Sequence, residues 1–146
     1  MVFNYINIIN AVVLSIIMVP NIIYGIKFSD LKSDCDSAAL IMCEQFGRYG
    51  CMAMMVVPVL VWRFELYDDL LFNYIFINSF LLSIYSIVWY FYFKKRNLIR
   101  ALILAIVPFL IFLFDGIILY HPMLIFFSML FAIGHISITY INHKNF

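Results

Sequence analysis

The stretch LIRALILAIVPFLIFLFDGIILY, residues 98–120, decides the fold. It carries one Arg near its start and one Asp near its end, and almost everything between is aliphatic or aromatic. At about 1.5 Å per residue, a helix of this length covers the roughly 30 Å hydrocarbon core of a bilayer. Similar stretches run over about residues 6–26, 38–62, 70–93 and 123–141, so such segments fill nearly all of the 146 residues. The chain is 66% hydrophobic and 12% charged, with a mean hydropathy of +1.05, a composition that water-soluble domains of this size do not have. The expected fold class is all-α: a polytopic membrane protein, a bundle of five transmembrane helices making a single integral membrane domain over residues 1–146. The nearest rival has four spans, with one hydrophobic segment lying in the interface or fused to its neighbour.

The boundary between the last two stretches falls at His121 and Pro122. Proline has no backbone donor and disfavours helix at the residue before it, so a tight turn is expected there. The first stretch reads as a retained span. Met1–Tyr5 holds no Lys or Arg, and no small-x-small cleavage pattern follows the apolar run.

Charge sets one consistent orientation. Lys27 and Lys32 lie between the first two spans, Lys94, Lys95, Arg96 and Arg100 between the third and fourth, and Lys144 after the fifth. The opposite side carries Arg63 among Glu65, Asp68 and Asp69. The positive-inside rule then puts the C-terminus in the cytoplasm and the N-terminus outside, in the cell (plasma) membrane. Trp62 and the run Trp89-Tyr90-Phe91-Tyr92-Phe93 fall at span ends, where an aromatic belt belongs. The polar segments are too short to bury a core of their own, which excludes a soluble catalytic domain and a nucleic-acid-binding domain. The bilayer is the partner that composition dictates, with a second copy or another membrane protein as the protein partner.

The three cysteines do not pair by spacing. Cys43 and Cys51 stand eight residues apart on one helix, about 12 Å along its axis, and Cys35 lies in the loop assigned to the reducing cytoplasm. No metal or cofactor motif is present, so no cofactor is expected.

Polar residues inside the spans are the candidates for chemistry, because each is costly in hydrocarbon unless paired. Glu44 precedes Arg48 by four residues, the favourable order for a helical ion pair. Ala39, Cys43, Gly47 and Cys51 repeat at four-residue spacing beside them, a small-residue stripe suited to close helix packing. In the fifth span Ser128, Ala132, His135, Thr139 and Asn142 fall on one face, which puts His135 at the depth of Glu44. Asn21, next to Pro20, falls in the same layer. Asn21, Glu44, Gln45, Arg48 and His135 are therefore the expected inner polar layer. Asp115 is the outer polar candidate, with Asn78 and Asn10 as neighbours by depth, and either Arg63 as partner or a proton to neutralise it. Ser79, Ser83 and Ser86 read as a further packing stripe.

The segments PNIIYGIK, residues 20–27, and EQFGRYGC, residues 44–51, resemble a group of small uncharacterised polytopic membrane proteins of low-GC Gram-positive bacteria. The resemblance implies a bacterial cell and a membrane location, and it carries no activity, substrate or cofactor.

Three functions fit these features. The first is a non-enzymatic subunit, accessory or immunity-type protein acting by helix–helix contact, which the small-residue stripes suggest. The second is a small oligomeric transporter or channel using the inner polar layer. The third is an intramembrane enzyme acting on a lipid or isoprenoid, for which Glu44 with His135 is the one acid–base pair at a common depth.

Overall fold

A computed structural model describes residues 2–3, 7–28, 33, 35–57, 64–65 and 68–144. Five helices dominate these residues: α1 (Ile8–Lys27), α2 (Ala38–Val56), α3 (Asp68–Lys94), α4 (Leu98–Ile118) and α5 (Pro122–His143). Two short strands, β1 (Val2–Phe3) and β2 (Phe64–Glu65), pair antiparallel. Four of the helices, α1, α3 from Leu70 onward, α4 and α5, are long and apolar enough to cross a bilayer. α2 is more polar, since Glu44, Gln45 and Arg48 lie around its middle.

Helix starts follow the side chains before them. Asn7, Ser37, Asn97 and His121 each accept a hydrogen bond from a backbone N–H of the first turn, at Asn10, Leu40, Arg100 and Leu124 respectively. These are the donors that a helix start leaves unsatisfied. α2 stops at Val56, short of the expected residue 62. Val57 is extended (φ −113°, ψ 131°), the backbone favoured before a proline such as Pro58. Residues 58–62, including Trp62, lie outside the described residues, as do Lys32 and Arg63. α3 starts at Asp68, two residues earlier than the hydrophobic pattern suggests.

α4 and α5 are separate helices. Tyr120 adopts a left-handed backbone (φ 51°), His121 N–H donates to the Gly116 carbonyl at 2.8 Å, and Tyr120 N–H donates to Ile117 at 3.2 Å. That pair of bonds closes the end of α4, and Pro122 opens α5 where its missing donor costs nothing.

The helices close into a ring in the order α1, α2, α5, α4, α3, with α2 against α5 as the most extensive contact. Two glycines explain it. A Cβ on Gly47 would overlap the Phe131 backbone, and one on Gly134 would overlap the Glu44 backbone, so the two helices touch main chain to main chain. Gly47 of the small-residue stripe is buried in this contact, Cys51 is buried in the core and Cys43 is half-buried, whereas Ala39 is exposed. Ser79, Ser83 and Ser86 are also exposed, and Ser83 and Ser86 donate to carbonyls one turn back on α3. They form no packing seam within the chain, because their helix turns Tyr74, Asn78, Tyr85, Trp89 and Tyr92 inward instead. Outward faces carry large apolar groups on every helix, among them Val19, Phe46, Phe76, Ile117 and Phe126.

Candidate functional site

Chain direction alternates, so Lys27, Lys94–Arg100 and Lys144 gather at one end of the bundle, the basic end. Tyr24 of α1 meets Tyr92 of α3 there (ring centroids 5.7 Å apart), and Ser33 donates to Asn142 Oδ1 at 3.2 Å.

One helical turn apart on the buried side of α2, Glu44 and Arg48 form an ion pair. Across the glycine contact, His135 Nδ1 of α5 lies 3.3 Å from Glu44 Oε1. Phe131 stacks on the His135 ring at 4.6 Å, which fixes its plane. The Glu44 side chain is only 6% exposed, while Arg48 is 38% and His135 25% exposed. The carboxylate is thus hidden behind its two partners, and the guanidinium and imidazole face open space.

That space is a cavity inside the ring. A portion of about 300 Å³ reaches toward the basic end, lined by Tyr24, Trp89, Tyr92, Thr139 and His143 among others. A smaller portion of about 70 Å³ lies further from that end, between Ile17, Met52, Tyr85, Pro108 and Phe112. Asn21, Arg48 and His135 line both. Asn21 is held by Nδ2 bonds to Tyr85 Oη at 2.7 Å and to the Ile17 carbonyl at 2.8 Å. The larger portion falls at the small end of ligand pockets, and its apolar and aromatic wall with a few convergent polar groups is their usual make-up.

Of the expected inner layer, Asn21, Arg48 and His135 line this cavity, and Glu44 lies behind the last two as their ion-pair partner. Gln45 is half-buried and lines neither portion, because one residue on a helix is 100° away from Glu44. The aromatic run at the end of α3 is split. Tyr90 and Phe91 are exposed as a belt would be, but Trp89 and Tyr92 are buried and face the cavity. The spacing Tyr85, Trp89, Tyr92 (i, i+4, i+7) is the signal for that face. His143 is a further addition, with Nε2 2.6 Å from Tyr92 Oη. At the basic end, Arg100 donates to the Phe91 and Lys95 carbonyls at the end of α3, Arg96 sits over the Phe28 ring, and Lys27 over Phe93.

Asp115 lies in a second polar cluster, at the opposite end. Asn78 Nδ2 donates to its Oδ1 at 2.7 Å. Beside them Tyr74 Oη donates to Asn10 Oδ1 and accepts from Asn7 Nδ2 at 3.3 Å, and Asn10 Nδ2 donates to the Met55 carbonyl at 3.0 Å. All five side chains are buried. Arg63, one of the two expected means of neutralising Asp115, lies outside the described residues.

The three cysteines are free thiols, and among the described residues no three His, Cys, Asp or Glu side chains come together as a metal set. Comparison with protein-family models, with curated proteins and with solved structures finds no match to this chain.

Proposed function

We propose that this chain is a five-span protein of the bacterial plasma membrane, basic end in the cytoplasm, that admits a small anionic solute to the cavity between its helices. The observation that carries the reading is the burial order of the polar triad. Glu44 is hidden, and the Arg48 and His135 donors behind which it hides are presented to a cavity walled by aromatic rings. A guanidinium in such a low-dielectric site is suited to a carboxylate or phosphate. The fifth span is supported by the outward face of α2. Met42, Phe46 and Tyr49 are exposed there, so its charges are turned away from lipid.

Action through contact with a protein partner has less support from the geometry than from the sequence. The stripe that suggested it spends Gly47 on the α2–α5 contact within the chain and buries Cys51 in its core.

Trp89 lines the cavity and reports on its occupancy. In purified protein carrying Trp62→Phe, titration with short-chain carboxylates and with phosphate is expected to shift Trp89 fluorescence saturably. The corresponding neutral amides should leave it unchanged, and Arg48→Met should abolish the response. An equal response to amides and acids would rule out anion recognition. Flux of the bound anion in proteoliposomes then separates a carrier from a receptor.

A further inference from the structure

The buried cluster around Asp115 is remote in chemistry from the cavity, and its role is independent of what the cavity binds. Asp115 sits one turn before the end of α4 with no exposure, and Asn78 on α3 is 2% exposed. Asn78 uses both N–H groups, one to Asp115 Oδ1 at 2.7 Å and one to the Tyr74 carbonyl at 3.1 Å. The Tyr74 carbonyl also fixes which end of the amide is nitrogen, since two facing oxygens would repel. Two atoms of the pair remain without a hydrogen-bond partner: Asp115 Oδ2 and Asn78 Oδ1. Both are acceptors, and both belong to groups already joined on their other side.

A primary amide and a carboxylic acid can close a ring of two hydrogen bonds, N–H to C=O and O–H to C=O. The first of these is in place. A single proton on Asp115 turns the orphaned acceptor into a donor and gives the orphaned amide oxygen its partner. We propose that Asp115 is a proton-binding site, its neutral carboxyl sharing the proton of Oδ2 with Asn78 Oδ1 across the α3–α4 contact.

Other ligands fit less well. A metal ion of the Ca²⁺ or Mg²⁺ class takes about six oxygens, and among the described residues the cluster offers two unengaged side-chain oxygens. Asn10 Oδ1 is taken by Tyr74 Oη, and the Met55 carbonyl by Asn10. An ionised carboxylate with no exposure needs a cation, and among the described residues none pairs with Asp115. Among the described residues, the groups beside the cluster are Asn7 at the start of α1, Asn10 on α1, the Met55 carbonyl of α2 and Tyr74 of α3, none of them charged, and His121 is a further titratable group buried at this end. Loss of the proton would leave a charge in a closed site, which ties ionisation of Asp115 to separation of α3 from α4 and entry of water.

Infrared spectroscopy of the purified protein in lipid near neutral pH tests this. The carbonyl band of a protonated carboxyl should be present in the unaltered protein and lost in Asp115→Asn. That variant should keep its thermal stability, because an amide at 115 reproduces both hydrogen bonds. In Asn78→Ala the band should move to higher frequency, as the acid carbonyl loses its N–H donor. An unchanged band in Asp115→Asn, or loss of a carboxylate band instead, would show Asp115 to be ionised and overturn the proposal. A band unmoved by Asn78→Ala would overturn the sharing with Asn78.

Discussion

Glu44 and His135 meet across the α2–α5 contact, Oε1 to Nδ1 at 3.3 Å, and Arg48 closes on the same carboxylate oxygen from one turn further along α2. One buried anion therefore answers to two donors on two helices. Removing Arg48 leaves the carboxylate with His135 alone. Breaking a fully buried pair costs about 3–5 kcal/mol, and the partial exposure of Arg48 reduces this, so Arg48→Ala is expected to cost about 1–3 kcal/mol. Glu44→Gln combined with Arg48→Met removes both charges together and should be milder. Thermal unfolding of the single and double variants in detergent checks the order. A double variant as unstable as the single would show that the two side chains are not coupled.

The α2–α5 contact makes a contrast between two glycines. Gly47→Ala places a methyl group into the Phe131 backbone, which cannot give way as a side chain can, and is expected to destabilise by at least about 1–3 kcal/mol. A methyl group at Gly25 would meet nothing within 4 Å, so Gly25→Ala should be neutral or stabilise α1 by up to about 1 kcal/mol. Unfolding midpoints of the two variants should move in opposite directions, or differ by several degrees.

His121 gives the turn between α4 and α5 a dependence on pH. Burial holds its imidazole below the ordinary value of 6.5, against an opposing pull from the Val57 backbone. Its Nδ1 must also be unprotonated to accept from Leu124 N–H at 3.3 Å. The neutral form is therefore the one the fold prefers. The stability it supplies is complete above the ordinary histidine value and is lost as pH falls through 6.5 toward the lower folded value. Melting temperature in detergent should fall from about pH 7.5 to about pH 5, and His121→Asn, which can still cap α5, should flatten that slope. An unchanged slope would assign the dependence to other groups.

Much of this architecture is written in hydrophobic periodicity, and the exceptions have physical causes. The five helices and the His121–Pro122 break follow from apolar runs and from proline chemistry. Glu44, Arg48 and His135 can be brought together on paper because i, i+4 spacing fixes a face and distance from a charged end fixes a depth. Gln45 joins them only by proximity along the chain, which on a helix is no guide to direction, and Ala39, though it keeps the four-residue spacing of its stripe, lies exposed in the first turn of α2. Asn7 and Tyr74 of the buried cluster carry no such signal. Near a span end an Asn or Tyr is equally at home in the interface, and burial there depends on which helices are neighbours. The order α1, α2, α5, α4, α3 is what sequence withholds, because lipid-facing and core-facing residues in a membrane are equally apolar.

The five-span bundle requires α2 to cross the bilayer with its charges turned inward, and thiol labelling from opposite sides of the membrane tests that most directly. In protein with Cys35, Cys43 and Cys51 replaced, single cysteines at Lys95, Asp68, Thr139 and Met42 are exposed to a membrane-impermeant maleimide. Lys95→Cys and Asp68→Cys are expected to label from opposite sides, and Thr139→Cys, in the cavity, from the Lys95 side. Met42→Cys, on the outward apolar face of α2, should resist labelling from either side. Rapid labelling of Met42→Cys, or of Asp68→Cys and Lys95→Cys from one side, would mean that α2 lies along the membrane surface, and would contradict the five-span bundle and the cavity within it.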